Sequence, residues 1–232
     1  MPVERETGIE YEIVYSKRKT IGVKVDRDGK VFVYSPPFVA LPEIEEIIRK
    51  HESFILKRRE RMTEKSAERQ SFNINKGSKL LFLGREYEVK HHDKNCFSFD
   101  GDSFFMPQNV QDCDVIKSFV SLYKVLAKRY IPEYVAELSP IVGVYPMSVR
   151  INSAVTRWGS CSGKNTLNFS WRLIMADEQT VKYVVIHELC HIYEHNHSDR
   201  FWLLVEKYCP DYLQCENMLK KLSERLSRES WE

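Results

Sequence analysis

No apolar run in this sequence approaches the roughly 18 residues that a membrane-spanning helix needs. The N-terminal stretch "MPVERETGIEYEIV" lacks the basic-then-apolar layout of a secretory leader, so a cytoplasmic, reducing location is expected. The six cysteines (Cys96, Cys113, Cys161, Cys190, Cys209, Cys215) include no C-x-x-C pair, which excludes a zinc knuckle or a dithiol redox motif. They read as free thiols, mostly buried as small hydrophobes. Neither charge dominates: 35 Lys and Arg stand against 33 Asp and Glu, and the net charge of +2 argues neither for nor against nucleic acid as a partner. Internal repeats and low-complexity tracts are missing too. What is present, 232 residues with 43% hydrophobic and 29% charged content, is enough for one large domain or two small ones with a sizeable core.

The first part of the chain reads as strands. "EYEIVYSKRKTIGVKVDRDGKVFVYSPP" alternates apolar and polar residues around Asp28-Gly29, a hairpin signal, and stops at Pro36-Pro37. A helix is expected from about 42 to 68, opened by Pro42 and striped by Ile44, Ile47, Ile48, Phe54 and Ile55. The polar stretch 63–78 reads as a linker. Further strands follow around Gly84 and around Asp100-Gly101, and a helical pattern then runs from Cys113 to Leu138. "MSVRINSA" reads as a strand, and "RWGSCSGKNTLNFSWRL" as two strands joined at Ser162–Asn165. Helices occupy the remainder. The expected class is α+β, with a strand-rich N-terminal region over 1–110 and a helix-rich domain over 111–232.

One stretch of that second domain carries chemistry. "VVIHELCHIYEHNHSDRFW" (184–202) has four histidines and two glutamates among residues typical of a core, where unpaired polar groups cost several kcal/mol. On a helix capped by Asp177, His187 and His191 lie four apart and share a face, so both imidazoles can reach one metal ion at about 2.1 Å. Glu188, about 100° round the same turn, can approach a water on that ion without binding the ion itself. This is the H-E-x-x-H arrangement of zinc hydrolases, in which zinc brings the pKa of bound water to about 7 and the glutamate takes its proton.

A catalytic zinc needs a third protein ligand. His195 would lie about 12 Å along the axis from His187 if the helix continued, which fits a rim position instead. His197 follows Asn196, a residue that tolerates the left-handed conformation ending a helix. A turn there brings His197 under the metal and leaves Ser198 to cap the next helix. His197 is the expected third ligand. The spacing is that of metzincins, but Glu194 stands where they have glycine.

"RWGSCSGKNTLNFSWRLIMAD" (157–177), followed by "YVVIHELCHIYEHNHSDRFW" (183–202) and "CPDY" (209–212), resembles the YgjP-like metallopeptidase family, related to the SprT and WLM zinc peptidases. The resemblance covers roughly residues 10–225 and is tightest over 157–202. It implies a strand-rich N-terminal part and a C-terminal zincin-like domain with one Zn2+ held by His187, His191 and His197. It also implies Glu188 as catalytic residue and a polypeptide as substrate. Two readings stand for strand "TLNFSW" (166–171): an edge strand near the metal that pairs with an extended substrate, or a structural hairpin in which Trp158 and Trp171 are core and Gly159-Ser160 shape the bend. Arg157 reads as a structural ion pair rather than an oxyanion donor, and Cys190 as a core thiol. The basic runs Lys57–Arg61 and Lys17–Lys19 raise nucleic acid as a partner, since SprT relatives act on protein attached to DNA; interspersed glutamates favour a solvated face.

A zinc-dependent hydrolase, most simply a metallopeptidase, is therefore the expectation. Two alternatives keep the metal: a nucleoside triphosphate pyrophosphatase, for which no Gly-rich phosphate loop is visible, and a non-catalytic module that the metal merely staples.

Overall fold

A computed structural model describes residues 8–231, with Asp112 and Cys113 described by their backbone alone. The described residues hold ten strands in three sheets and six α-helices, a mixed α/β structure in which seven of the strands precede the long third helix. Among the described residues no helix is long and apolar enough to cross a membrane.

The chain forms two compact units. The smaller takes in residues up to Phe72 together with 227–230. Its strands β1 (Tyr11–Tyr15), β2 (Gly22–Val25) and β3 (Val31–Ser35) form a sheet in the order β1-β3-β2, with β2 and β3 antiparallel and β1 parallel to β3. The β2–β3 hairpin turns where the sequence signals it: Asp26 Oδ1 accepts the N–H groups of Asp28 and Lys30, and Gly29 supplies a φ of 82°. Alternation along β3 sends Val31 and Val33 into a core shared with Ile44, Ile48 and Ile55. The single helix expected over 42–68 is two helices, α1 (Leu41–Lys50) and α2 (Glu52–Ser71). They break at His51, whose φ of −109° and ψ of 13° fall in the bridge region. The expected stripe loses Phe54, which is exposed. Helix-forming Glu, Lys, Ala, Arg and Gln extend α2 through the first half of the expected linker, which shrinks to residues 72–78.

The larger unit runs from Asn73 to Leu226 and includes Trp231. The division between these compact units falls at 72/73. Strands β4 (Lys79–Phe82), β5 (Arg85–His92), β6 (Ser98–Phe99) and β7 (Phe104–Pro107) pair in the order β4-β5-β7-β6. They join the helix-rich part because their aromatic residues pack on α3 (Asp112–Val142): Phe104 lies 5.6 Å from Tyr123 and 6.1 Å from Phe119, and Phe82 lies 5.2 Å from Tyr130. The Tyr123 hydroxyl also donates to the Leu81 carbonyl.

After α3 ends at left-handed Gly143, strands β8 (Ser148–Asn152), β9 (Gly159–Cys161) and β10 (Thr166–Ser170) form the third sheet, in the order β8-β10-β9. A 3₁₀ turn (Trp171–Met175) leads to α4 (Glu178–Cys190), and α5 (Asp199–Tyr208) and α6 (Tyr212–Leu226) follow.

Candidate metal centre

Helix α4 is enclosed by the larger unit: Val181, Val184, Val185, Leu189 and Cys190 are all buried. Its start is fixed twice. Asp177 caps it, with Oδ1 accepting the Thr180 N–H at 2.9 Å and Oδ2 the Thr180 hydroxyl at 2.7 Å. The β4–β5 turn presses on the same residue, since a Cβ at Gly84 would lie 2.7 Å from the Asp177 Cα. His187 is on the last turn of the helix and His191 is its C-cap.

The chain reaches His197 by a different route from the one expected. Asn196 is not left-handed; the described non-glycine residues with positive φ are Leu83 and Asn165. Consecutive turns through Tyr193 and Glu194 bond back to Cys190, and the Asn196 Oδ1 then accepts the Ser198 N–H at 3.2 Å. Ser198 is the N-cap of α5 by its backbone, but its hydroxyl makes no cap bond and is buried without a partner.

This path brings His187, His191 and His197 together, with one ring nitrogen of each within 4.8 Å of the others. The Nε2 atoms of His187 and His197 are 3.2 Å apart. Two nitrogens on one tetrahedral ion with bonds of about 2.1 Å stand about 3.4 Å apart, so the spacing suits a shared cation. His191 directs Nδ1 to the Glu194 carbonyl at 2.9 Å, which orients its Nε2 as the free lone pair. Burial, and then the neighbouring His191 and His197, push His187 down to about 3. Burial also lowers His191. The neutral rings that result are the ligating form. His195 is exposed and lies outside the cluster.

Glu188 is 4% exposed, its Oε2 has no hydrogen-bond partner, and burial pushes its carboxyl up to about 8 against the opposing charge of Arg157. A partnerless carboxyl and three converging imidazoles are the groups that a divalent cation would compensate, and nitrogen donors of this kind suit zinc and its transition-metal neighbours. Arg157 itself is exposed and forms no ion pair among the described residues, which corrects the structural role expected for it. Cys190 is a core thiol as expected, fully buried and pushed up to about 12.

Phe201 was missed in the sequence. It is fully buried, and its ring centroid lies 4.9, 4.4 and 4.8 Å from those of His187, His191 and His197, so it floors the centre. Trp202 flanks His197 at 5.7 Å and stacks on Tyr212 at 5.4 Å. Their motif, N-H-S-x-x-F-W, was visible, but not that one aromatic ring would touch three imidazoles.

The strand beside the centre also differs from expectation. β10, the supposed edge, is central: it pairs with β8 and β9, and it buries Leu167 and Phe169 completely. β8 and β9 are the edges, and Gly159 of β9 lies against Glu188.

Three imidazoles around one point, with a desolvated carboxyl one residue from the first of them, are the equipment of a metal-dependent hydrolase. The chain belongs to the YgjP-like family, whose model, described as the YgjP-like metallopeptidase domain, matches residues 19–222. Among solved structures it is similar to the metallopeptidase zymogen of Pyrococcus abyssi abylysin, with 24% identity, 43% of this chain and 98% of that chain covered, and a TM-score of 0.37. The metallopeptidase zymogen of Methanocaldococcus jannaschii jannalysin gives 23% identity, 42% and 98% coverage, and a TM-score of 0.36. No curated protein matches.

Proposed function

We propose that the protein is a zinc-dependent peptidase with one ion held by His187, His191 and His197, acting on polypeptide chains. The observation that carries this reading is the meeting of three ring nitrogens beside the buried, unpartnered Glu188 carboxyl. When bound, zinc supplies a Lewis acid that acidifies water and polarises a carbonyl. Glu188 takes the proton of the attacking water and hands it to the departing amine, a task suited to a carboxyl whose affinity for protons burial has raised. The main chain of edge strand β9 receives an extended substrate by strand addition, next to that carboxyl.

The test is Glu188→Gln in zinc-loaded protein, assayed on an unfolded polypeptide and on nucleoside triphosphates. Polypeptide cleavage should be abolished while zinc stays bound. Cleavage that survives the substitution overturns the reading, as does phosphate release from nucleotides in its place.

A further inference from the structure

Gly159 stands in strand β9 where glycine is not needed for backbone shape. It is paired with Phe169 of β10, and its φ is not among the positive values that favour glycine. Glycine brings a strand no side chain to pack, so another cause is required. That cause is space. A Cβ built at Gly159 would lie 2.5 Å from Glu188 Oε1, 2.7 Å from its Cγ and 2.8 Å from its Cδ, and these are its three nearest atoms. Glu188 Oε2 has no hydrogen-bond partner, so packing rather than bonding sets where the carboxyl sits.

We infer that Gly159 is the positioning residue for the Glu188 carboxylate: the missing side chain is the seat in which the general base rests. The inference builds on the peptidase reading of the same site. The residue that seats the base also opens the edge strand offered to substrate, so carboxylate and scissile bond share one frame of reference. A carboxylate at the end of a side chain can yield where backbone cannot, so a methyl group at 159 displaces the base and leaves the fold standing.

The test compares Gly159→Ala with Gly163→Ala in the full chain. Gly163 lies in the loop that joins β9 to β10, and a Cβ there meets nothing within 4 Å. In Gly159→Ala, kcat on an unfolded polypeptide should fall about 100-fold, the scale of an ångström's misplacement of a catalytic group. KM should stay within about twofold, because only an interaction specific to the transition state is lost. Zinc content should be unchanged, and Gly163→Ala should match the wild type. In a Glu188→Asp background the shorter side chain no longer reaches the seat, so adding Gly159→Ala should cost less than about threefold by the logic of a double-mutant cycle. A crystal structure of Gly159→Ala should show the Glu188 carboxylate displaced, with β9 still paired to β10. Wild-type kcat in Gly159→Ala overturns the inference, as do loss of zinc, an equal loss in Gly163→Ala or an additive double mutant. If the wild type cleaves no polypeptide, the peptidase reading falls and the crystal structure decides alone. A displaced carboxylate then supports the seat, and a shifted strand beside an unmoved carboxylate refutes it.

Discussion

Glu188 is an acid with nowhere to put its charge. Without metal its carboxyl is pushed by burial from the ordinary 4.5 up to about 8. Between those values the unfolded chain has released the proton while the folded chain keeps it. The folded state therefore binds more protons, and stability falls as pH rises through that window. Glu188→Gln removes the loss. The metal-free variant should melt several degrees above the wild type at pH 8, at about 2–4 °C per kcal/mol for a chain of this size, and should lose that advantage by pH 4.5. Identical melting curves from pH 5 to 8 would show the carboxyl to be solvated. Phe201 makes a second residue-scale case. Phe201→Leu keeps an apolar floor but cannot lie flat against His191, whose ring stacks on Phe201 at 4.4 Å. Zinc affinity, measured by competition with a chelating dye, should drop about tenfold or more, as when other supports of metal ligands are removed. An unchanged affinity would reduce Phe201 to core filler.

At the scale of elements, α4 depends on its first residues. Asp177→Ala loses the cap and should cost about 1 kcal/mol in urea unfolding. Gly84→Ala should cost more, because its Cβ would meet the Asp177 backbone from a left-handed position, with φ at 77°. A Gly84→Ala variant as stable as the wild type would mean that the β4–β5 turn does not brace the helix. The metal helix, its cap and its histidines were legible because spacing and capping are local properties of the chain. The same holds for the β2–β3 hairpin and the Ser162–Asn165 turn. Strand order was not legible: "TLNFSW" reads as well for a central strand as for an edge, and only the pairing of β10 with both neighbours decides. The break at His51 escaped, since it rests on backbone angles that the side chains do not announce; a turn at Asn196 was legible, but not that the Asn196 Oδ1 would close it on the Ser198 N–H. The Gly159 contact with Glu188 joins residues far apart in sequence, so no local pattern announces it.

For the whole molecule, aromatic packing ties β4–β7 to α3, and the two compact units divide at 72/73. The three-histidine cluster lies in the larger unit. A zinc ion bound there would stabilise only the folded form, by about 4 kcal/mol at a thousandfold excess over Kd. Thermal melts followed by circular dichroism should therefore rise with free zinc in the wild type and stay nearly flat in His197→Ala. A zinc response that survives His197→Ala would place the ion elsewhere.

Trp202, wedged between His197 and Tyr212, gives the centre an optical voice. Indole emission is sensitive to a charged imidazole or an open-shell ion against its ring. Cobalt entering the site should dim the near-ultraviolet glow of the protein, and swapping in zinc should restore it, so occupancy becomes readable without a dye or a substrate.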